Sequence, residues 1–226
     1  MRILFTCGRE PQYVRNEVIL RALRKRYQVT EITDRGAGSL TARNLRLLPR
    51  LLKAVRRNDY DLIFVGFYGY LLVPWLRRLT KQPVVFDAFV SNFDTLCFDR
   101  KKFNPHSLMG KMAFQLDRLA CRSADLVLLD TAAQQRYFAD TFDLPLSQLD
   151  YLFVSCNEDM FYPRPQEKSD DQFTVLSYSS YLPLHGIEDI VKAARILAGH
   201  PDIRFRLIGR GQTYPAVHQL AEQLLA

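Results

Sequence analysis

Short apolar runs alternate with amphipathic segments along the first 154 residues of the chain. The apolar runs have the length of buried strands, and the segments between them repeat their apolar residues at helical spacing. Six strands are predicted in this way, at Ile3–Cys7, Gln28–Ile32, Asp61–Gly66, Pro83–Asp87, Asp125–Asp130 and Leu149–Val154. Strands that alternate with helices along a chain form a parallel, doubly wound α/β sheet.

Five helices are predicted between these strands, at 13–26, 43–57, a segment that ends near Leu79, 104–123 and 131–141. Pro49 is expected to kink the second helix or to delay its start. We expect Asn104 to cap the fourth helix, with Pro105 at the first helical position, because this pair is typical of a helix start. Residues 88–103 have no clean periodicity, and we interpret them as a functional loop.

A second strand–helix–strand pattern begins at Phe173. The sequence reads FTVLSYSS, YLPLHG, IEDIVKAARILAGHPD and IRFRLIGRG, and one more helical segment follows from about Thr213. These strands are predicted to be buried, as in a parallel sheet covered on both faces, and residues 173–226 are too few to complete such a sheet. We therefore predict a complete N-terminal Rossmann-like domain at 1–160, a linker at 161–172, and the first β-α-β-α part of a second Rossmann-like domain at 173–226.

Composition argues against several classes of protein. The 226 residues are 48% hydrophobic, but the run from Leu62 to Leu76 contains glycines and Pro74 and is shorter than the roughly 18 residues of a membrane span. The apolar stretch at the start of the chain is too short for a signal peptide. The four cysteines are far apart in sequence. We predict that they are buried thiols in a reducing, cytoplasmic compartment and that they form neither disulfides nor a metal site.

Positive charge is concentrated in the first third of the chain. Residues 1–81 contain 17 Lys and Arg against 6 Asp and Glu, whereas the whole chain has a net charge of +7. One arc of the predicted helix at 43–57 carries basic residues, among them Arg43, Arg46, Arg50, Lys53 and Arg57. This arc is either a solvated surface or a face that lies on an anionic membrane. Nucleic acid is not favoured as a partner, because no aromatic platform or known reader motif accompanies the charge.

Ligands of doubly wound sheets bind at the carboxyl ends of the strands. In the first domain this edge includes Gly8, Arg9 and Asp87. In the second domain it includes the turn at 179–186 and the glycine turn at 209–211. We expect two such edges to form a cleft that holds two substrates.

Several separated stretches resemble the family-4 glycosyltransferases, which have the GT-B architecture of two Rossmann-like domains. NEDMFYPRP is similar to the hinge segment of that family, with Asp159, Phe161 and Pro163 in the matching places. FTVLSYSSYLPLHGIEDIVKAARIL resembles the donor-side strand, turn and helix, and IRFRLIGRG resembles the next strand with its glycine turn. ADLVLLDT and the helix after it suit the end of the acceptor domain.

The resemblance implies a retaining transfer of a sugar from a nucleoside-diphosphate donor to a glycan or lipid-linked acceptor, without a metal or other cofactor. Free N–H groups at a helix start and glycines that allow close approach are also physically suited to a diphosphate. The diphosphate is expected at Ser180, His185, Gly186, Gly209, Arg210 and Gly211. Ser180 and His185 stand where many relatives have an arginine and a lysine.

The acceptor is expected at the first domain. Many relatives carry a histidine near the position of Asp87, so we interpret Asp87 as a catalytic or acceptor-positioning group, or as the cap of a backbone turn. The other acceptor-side candidates are Gly8, Arg9, Asp94, Asp99 and Arg100. The last three are expected to shape the acceptor pocket or to pair with one another.

The resemblance also implies an absence. Relatives have two spaced glutamates that contact the donor, and nothing after Gly211 supplies them. We therefore expect a chain that is truncated within its donor domain and is weakly active. The alternative is a non-catalytic remnant, or a half-enzyme that binds acceptor or membrane and needs a second chain. A nicotinamide dehydrogenase is disfavoured, because the first turn, CGREPQ, lacks GxGxxG. We expect a cytoplasmic protein of cell-envelope glycan synthesis with peripheral contact with the inner membrane face.

Overall fold

The structure, a computed structural model, describes residues 1–36, 38–164 and 172–225. The chain divides into two compact units. The first unit consists of Met1–Thr95 and Phe103–Tyr162, and the second consists of Leu96–Lys102 and Pro163–Ala226. The predicted linker at 161–172 lies for the most part outside the described residues.

The first unit contains the six-stranded parallel sheet that the sequence predicts. Its strands are β1 (Arg2–Cys7), β2 (Gln28–Glu31), β3 (Leu62–Gly66), β4 (Val84–Phe89), β5 (Leu126–Leu129) and β6 (Leu149–Tyr151). They are arranged in the order β2-β1-β3-β4-β5-β6. The direction of winding reverses between β1 and β3, and a doubly wound sheet forms its ligand crevice at such a switch point.

Helices cover both faces of this sheet. They are α1 (Val14–Arg24), α2 (Leu40–Arg57), α3 (Leu72–Leu79), α4 (Asn92–Asp94), α5 (Leu108–Ser123) and α6 (Ala132–Phe142). Successive strand residues point to opposite faces of a sheet, and this alternation divides the core in two. Leu4 is buried in a cluster with Leu47 of α2, whereas Phe5 is buried with Ile19 of α1 in a second cluster.

Helix α2 is longer than predicted. It begins at Leu40 and continues through Pro49, so the proline does not delay its start. The Ser39 hydroxyl caps the helix, because its oxygen accepts a hydrogen bond from the N–H of Ala42 at 3.2 Å. The residues that this helix buries lie at helical spacing, as the amphipathic pattern predicts: Asn44, Leu47, Leu51 and Val55.

Residues 88–103 are more regular than the predicted loop. Strand β4 continues to Phe89, two residues beyond the predicted end. Helix α4 follows, and Thr95–Asp99 then form one turn of π-helix. Because π-helical turns are rare and occur mainly at functional sites, this regularity is compatible with the functional interpretation of the segment.

The predicted start of α5 was wrong. The helix begins at Leu108 rather than at Pro105, and its cap is Ser107, whose hydroxyl oxygen accepts a hydrogen bond from the N–H of Gly110 at 3.2 Å. The Asn104 side chain instead accepts a hydrogen bond from a backbone N–H two residues later, at 2.8 Å. The Asn104 side chain therefore stabilises the turn that precedes the helix, by the same kind of side-chain-to-backbone hydrogen bond that asparagine forms when it caps a helix.

The second unit has two parallel strands, β7 (Phe173–Ser179) and β8 (Ile203–Gly209), and two helices, α7 (Ile187–Ile196) and α8 (Tyr214–Leu225). Both helices pack on the sheet face that carries Leu207. The prediction that these strands are buried on both faces was wrong, because every second residue is exposed. Among the large side chains on the open face are Leu176, Tyr178 and Ile208.

Three of the four cysteines are buried, as predicted, namely Cys7, Cys97 and Cys121. Cys156 is exposed, so the prediction was wrong for that residue. None of these four residues, all within the described ranges, forms a disulfide. Burial raises the pKa of Cys7 to about 12, and the charges of Glu31 and Glu10 contribute to that rise. The Cys7 thiol is therefore protonated, and unreactive as a nucleophile, at neutral pH.

Candidate functional site

A sharp turn follows β7 in the second unit. Tyr181 has a φ of +46°, in the left-handed region that a bulky residue rarely occupies, and its side chain is buried. Its carbonyl oxygen accepts hydrogen bonds from the N–H and the hydroxyl of Thr213, at 2.9 and 3.0 Å. These bonds tie the turn after β7 to the start of α8, so the two turns at this edge of the sheet form one continuous surface.

Gly209 and Gly211 bring the turn after β8 directly against the turn after β7. A Cβ atom on Gly209 would lie 1.9 Å from the carbonyl oxygen of Ser179, and one on Gly211 would lie 1.8 Å from that of Ser180. Gly209 also has a φ of +149°. A side chain at either position would displace the backbone, so both glycines have a packing role in addition to their predicted contact with phosphate.

Replacing Gly209 with alanine is expected to destabilise the second unit by at least about 2 kcal/mol, because the Ser179 carbonyl would have to move. Gly199→Ala is the matched control, since a Cβ atom there would meet nothing within 4 Å. Thermal unfolding of both variants, followed by circular dichroism, tests this expectation. A G209A melting temperature equal to that of the wild type would show that the two turns separate freely.

An open groove of about 680 Å³ lies at the same edge, and its lining includes Ser177, Tyr178, Ser179, Ser180, His185, Ile208 and Gly209. Nδ1 of His185 accepts a hydrogen bond from the N–H of Leu182 at 3.4 Å. This bond places the proton of a neutral imidazole on Nε2, where it can be donated to an anion. The structure thus brings Ser180 and His185, both predicted to contact the diphosphate, into one groove.

The first turn of α7 carries acidic side chains close to the predicted anion site. The helix starts at Gly186, which has a φ of +57°, but its first turn carries Glu188 and Asp189. These carboxylates oppose a second anion at the helix start. Arg210 is exposed and forms no ion pair with any described residue. Within the described ranges, no group of three or more His, Cys, Asp or Glu side chains could hold a metal ion.

Asp87, the predicted catalytic residue of the first unit, is fully buried in β4. Nε and Nη2 of Arg15 donate three hydrogen bonds to its carboxylate, at 2.7 to 2.9 Å. Arg15 also donates to the carbonyl oxygens of Leu129 and Leu152, at 3.0 and 2.8 Å. Burial raises the pKa of Asp87, and the hydrogen bonds and charge of Arg15 oppose that rise. An acceptor could reach Asp87 only if Arg15 moved, and the catalytic role of Asp87 stays a prediction.

The segment after β4 is held in place by the buried Asp117 of α5. Its Oδ2 accepts hydrogen bonds from the hydroxyl of Ser91, at 2.8 Å, and from the N–H of Phe93, at 3.0 Å. Burial raises the pKa of Asp117 to about 7, although these hydrogen bonds lower it. Asp117 therefore positions the residues just before the candidate Asp94, and it does so with a carboxyl that titrates near neutral pH.

The other acceptor-side candidates, Asp94, Asp99 and Arg100, all have polar partners. Asp94 belongs to the first unit, whereas Asp99 and Arg100 belong to the second. The carboxylate of Asp94 accepts a hydrogen bond from the hydroxyl of Tyr137 at 2.7 Å, and burial raises its pKa. Asp99 and Arg100 form an ion pair with an N–O distance of 3.3 Å. This is the pairing that the sequence left open as an alternative, and a contact of these residues with an acceptor stays a prediction.

Gly8 and Arg9 lie at the switch point of the sheet. A Cβ atom on Gly8 would be 1.9 Å from the carbonyl oxygen of Tyr68, so the turns after β1 and β3 touch. The Arg9 guanidinium carbon lies 4.9 Å from the ring centre of Tyr13 and 5.5 Å from that of Tyr68, as in a cation–π contact. Tyr68, just after β3, has a φ of +63°, and Phe89, at the end of the neighbouring β4, has a φ of +64°. Backbone strain of this kind occurs preferentially at functional sites.

The basic arc of α2 is partly engaged within the first unit. Three of its arginines bind neighbouring groups, namely Arg43 with Glu10, Arg46 with Asp34 and Arg50 with the carbonyl oxygen of Thr33. Lys53 and Arg57 are exposed and form no ion pair with the residues that the structure describes. Among all the residues that the structure describes, no helix is both long and apolar enough to cross a membrane. Contact with an anionic membrane surface stays a prediction.

Comparison with known proteins identifies related folds. No protein-family model and no curated protein matches the chain. Anabaena HepE, solved with UDP and glucose, is 17% identical with a TM-score of 0.61, over 99% of this chain and 66% of HepE. A mutant of S. aureus TarM, solved with Fondaparinux, alpha-GlcNAc-glycerol and UDP, is 11% identical with a TM-score of 0.55, over 79% of this chain and 34% of TarM. The UDP-GlcNAc 2-epimerase of Neisseria meningitidis, bound to UDP-GlcNAc, is 14% identical with a TM-score of 0.53, over 100% of this chain and 70% of the epimerase.

At these sequence identities the comparisons establish the fold and nothing finer. The prediction of an α/β fold with GT-B-like, Rossmann-like units is confirmed by the similarity to HepE and by the six-stranded parallel sheet. The chain spans slightly less than two thirds of the HepE chain and about one third of the TarM chain. Membership of family 4 and truncation of the chain stay predictions.

The sequence did not identify Arg15, Glu10 or Asp117 as important residues. Arg15 and Asp117 are charged residues on helices and are almost completely buried. The available signal for Arg15 was its position four residues before the buried Ile19, which places a charge on the core side of α1. Nothing in the sequence links Arg15 to Asp87, because the two are 72 positions apart.

Proposed function

We propose that this chain is part of a nucleotide-sugar-dependent glycosyltransferase that transfers a sugar, with retention of configuration, to a glycan or lipid-linked acceptor. The observation that carries the proposal is the groove of the second unit, where His185 and two interlocked turns lie at the carboxyl ends of parallel strands. UDP is present in the HepE and TarM structures, which share the fold. The resemblance to family 4 supports the retaining reaction.

The groups of this groove suit a departing diphosphate. Negative charge increases on the leaving group as the glycosidic bond breaks, and preorganised donors aimed at that charge lower the barrier. Nε2 of His185 and the hydroxyl of Ser180 are such donors, and the exposed Arg210, which follows Gly209 of the groove lining, adds a permanent positive charge next to it. The proposed reaction uses these groups without a metal, so chelation of divalent ions should leave it unchanged.

His185→Ala is expected to weaken UDP binding about tenfold, because one hydrogen bond to a charged group contributes roughly 1.5 kcal/mol. His200→Ala is the control, since His200 is an exposed histidine of the same unit that does not line the groove. Isothermal titration calorimetry with UDP measures both affinities. Equal affinities of H185A and the wild type would remove His185 from the donor site.

The fold similarity to a UDP-GlcNAc 2-epimerase supports a second candidate, a nucleotide-sugar epimerase. The two reactions differ in their products. A glycosyltransferase releases UDP and forms a new glycosidic bond, whereas an epimerase returns a nucleotide sugar with inverted configuration at one carbon. Incubation with UDP-GlcNAc, with and without a sugar acceptor, followed by NMR of the sugar protons separates them. UDP binding without either product would favour the alternative of a half-enzyme that needs a second chain.

A further inference from the structure

A carboxylate lies between two arginines at the switch point of the first unit. Oε1 of Glu10 is 2.8 Å from Nη2 of Arg43, which belongs to α2. Oε2 of Glu10 is 3.4 Å from Nε of Arg9, in the turn after β1. The cluster contains two positive charges and one negative charge, so an excess of one positive charge faces the edge of the sheet where ligands of this fold bind.

The surroundings hold the two guanidinium groups in place. Arg9 lies beside the rings of Tyr13 and Tyr68, and the backbone carbonyl of Tyr68 lies directly beside Gly8. The Arg43 side chain is only 11% exposed, whereas the Glu10 side chain is 39% exposed. Glu10 is therefore the member of the cluster that can leave with little disturbance, because an exposed carboxylate regains hydration when it moves into solvent.

Glu10 does not satisfy the donors that surround it. Nε and Nη1 of Arg43 and Nε of Arg9 are buried and have no hydrogen-bond partner among the described residues. The same is true of Oδ1 of Asn44, a residue that is 4% exposed and lies beside Gly8. Unpaired buried donors on charged groups are costly. A ligand with more acceptor oxygens than one carboxylate, and with a hydroxyl for Asn44, would pair them better.

We propose that Arg9 and Arg43 form a binding site for the oxyanion of a sugar ligand, a phosphate ester or a uronate carboxylate, and that Glu10 occupies this site until the ligand displaces it. The inference rests on the proposed function, in which the ligand is the acceptor. Arginine suits this role because its planar fork binds two oxygens at once. The ligand's charge replaces that of Glu10.

The proposal predicts opposite effects for two substitutions in one ion pair. Glu10→Gln removes the internal competitor and should tighten binding of glucose 1-phosphate about threefold to tenfold, because both guanidinium groups become available. Arg43→Gln removes one of the two guanidinium groups and should weaken binding of glucose 1-phosphate at least about tenfold. A purely structural ion pair predicts instead that both variants are destabilised and that neither gains affinity.

The test is calorimetric titration of the full chain with glucose 1-phosphate, glucuronate, inorganic phosphate and glucose. Glu17→Gln and Arg57→Gln are the controls, since they change the net charge equally at exposed residues outside the cluster. Tighter binding of glucose 1-phosphate by E10Q supports a phosphate ester, and tighter binding of glucuronate supports a uronate. Glucose should bind no more tightly to E10Q than to the wild type.

Three results would overturn the proposal. They are an E10Q affinity that is unchanged or weaker for every anion, an equal gain in E17Q, and an R43Q affinity equal to that of the wild type. Arg43→Lys distinguishes a loss of binding from a loss of folding, because it keeps the positive charge at this position. It should bind glucose 1-phosphate with intermediate affinity. UDP affinity separates this site from the donor site: H185A should lower it and E10Q should leave it unchanged, so either proposal can fail alone.

Discussion

Replacing Arg15 with methionine is expected to destabilise the first unit by about 3–5 kcal/mol, because the variant leaves the Asp87 carboxylate buried without its partner. Arg15 is 4% exposed and Asp87 has no exposed surface. Methionine has a similar length, so the change removes the charge and the hydrogen bonds more than the packing. Urea unfolding followed by fluorescence of Trp75, the single tryptophan, which packs against the core of this unit, measures the effect.

Two further variants test whether the loss of stability in Arg15→Met comes from the unpaired buried carboxylate of Asp87. Arg21→Met is the control on the same helix, since the exposed ion pair of Arg21 with Asp159 should contribute little. The double variant Arg15→Met with Asp87→Leu should recover much of the loss, because replacing both members of a buried pair with apolar residues is often tolerated. Equal stabilities of R15M and R21M would show that Asp87 does not depend on Arg15.

Asp117→Asn should change how the stability of the first unit depends on pH. The pKa of Asp117 is raised from 3.8 to about 7 in the folded protein, mainly by burial. Between these values the folded state binds more protons than the unfolded state, so this residue makes the protein less stable as pH rises. Each pH unit in this range lowers the free energy of unfolding by about 1.4 kcal/mol. The total loss approaches about 4 kcal/mol at pH 7 and does not grow further above that pH.

The asparagine variant cannot ionise, and it keeps an oxygen that can accept the hydrogen bond from Ser91. The difference in unfolding free energy, wild type minus D117N, should therefore fall from pH 4 to pH 8. Urea titrations of both proteins at several pH values measure this difference. A difference that stays constant with pH would mean that the donors around the carboxylate, Ser91 and Phe93, outweigh its burial and keep it ionised.

The fold of the first unit is readable from the sequence because four of its six strands, β1, β3, β4 and β5, are largely apolar runs, whereas β2 and β6 are short and partly exposed. Predicted and observed strand ends differ by only a few residues, as at β3 (Leu62–Gly66) and β6 (Leu149–Tyr151). The burial of β7 was not predictable, since apolar residues occur at both alternating sets of positions, with Val175 on one face and Leu176 on the other. Local capping at Ser107 was missed because Asn104 and Pro105 offered an equally valid helix start.

The candidate site was predictable only in part. Glycine turns after strands are visible in the sequence, and the structure places Gly209 and Gly211 in contact with the turn after β7. Pairings between distant residues are not visible, because a single sequence carries no signal for a contact such as that of Arg15 with Asp87. The same limit applies to Glu10, whose partner Arg43 follows it by 33 positions and was predicted to face either solvent or a membrane.

Hydrogen–deuterium exchange of the full chain with and without UDP tests the central claim most directly, because it reports where the nucleotide binds. The proposed donor site predicts slower exchange of backbone amides in the turns at 179–186 and 209–211 when UDP is added. The exchange of the control helix α6, in the first unit, should be unchanged. Unchanged exchange in both turns at saturating UDP, or protection confined to the first unit, would contradict the account.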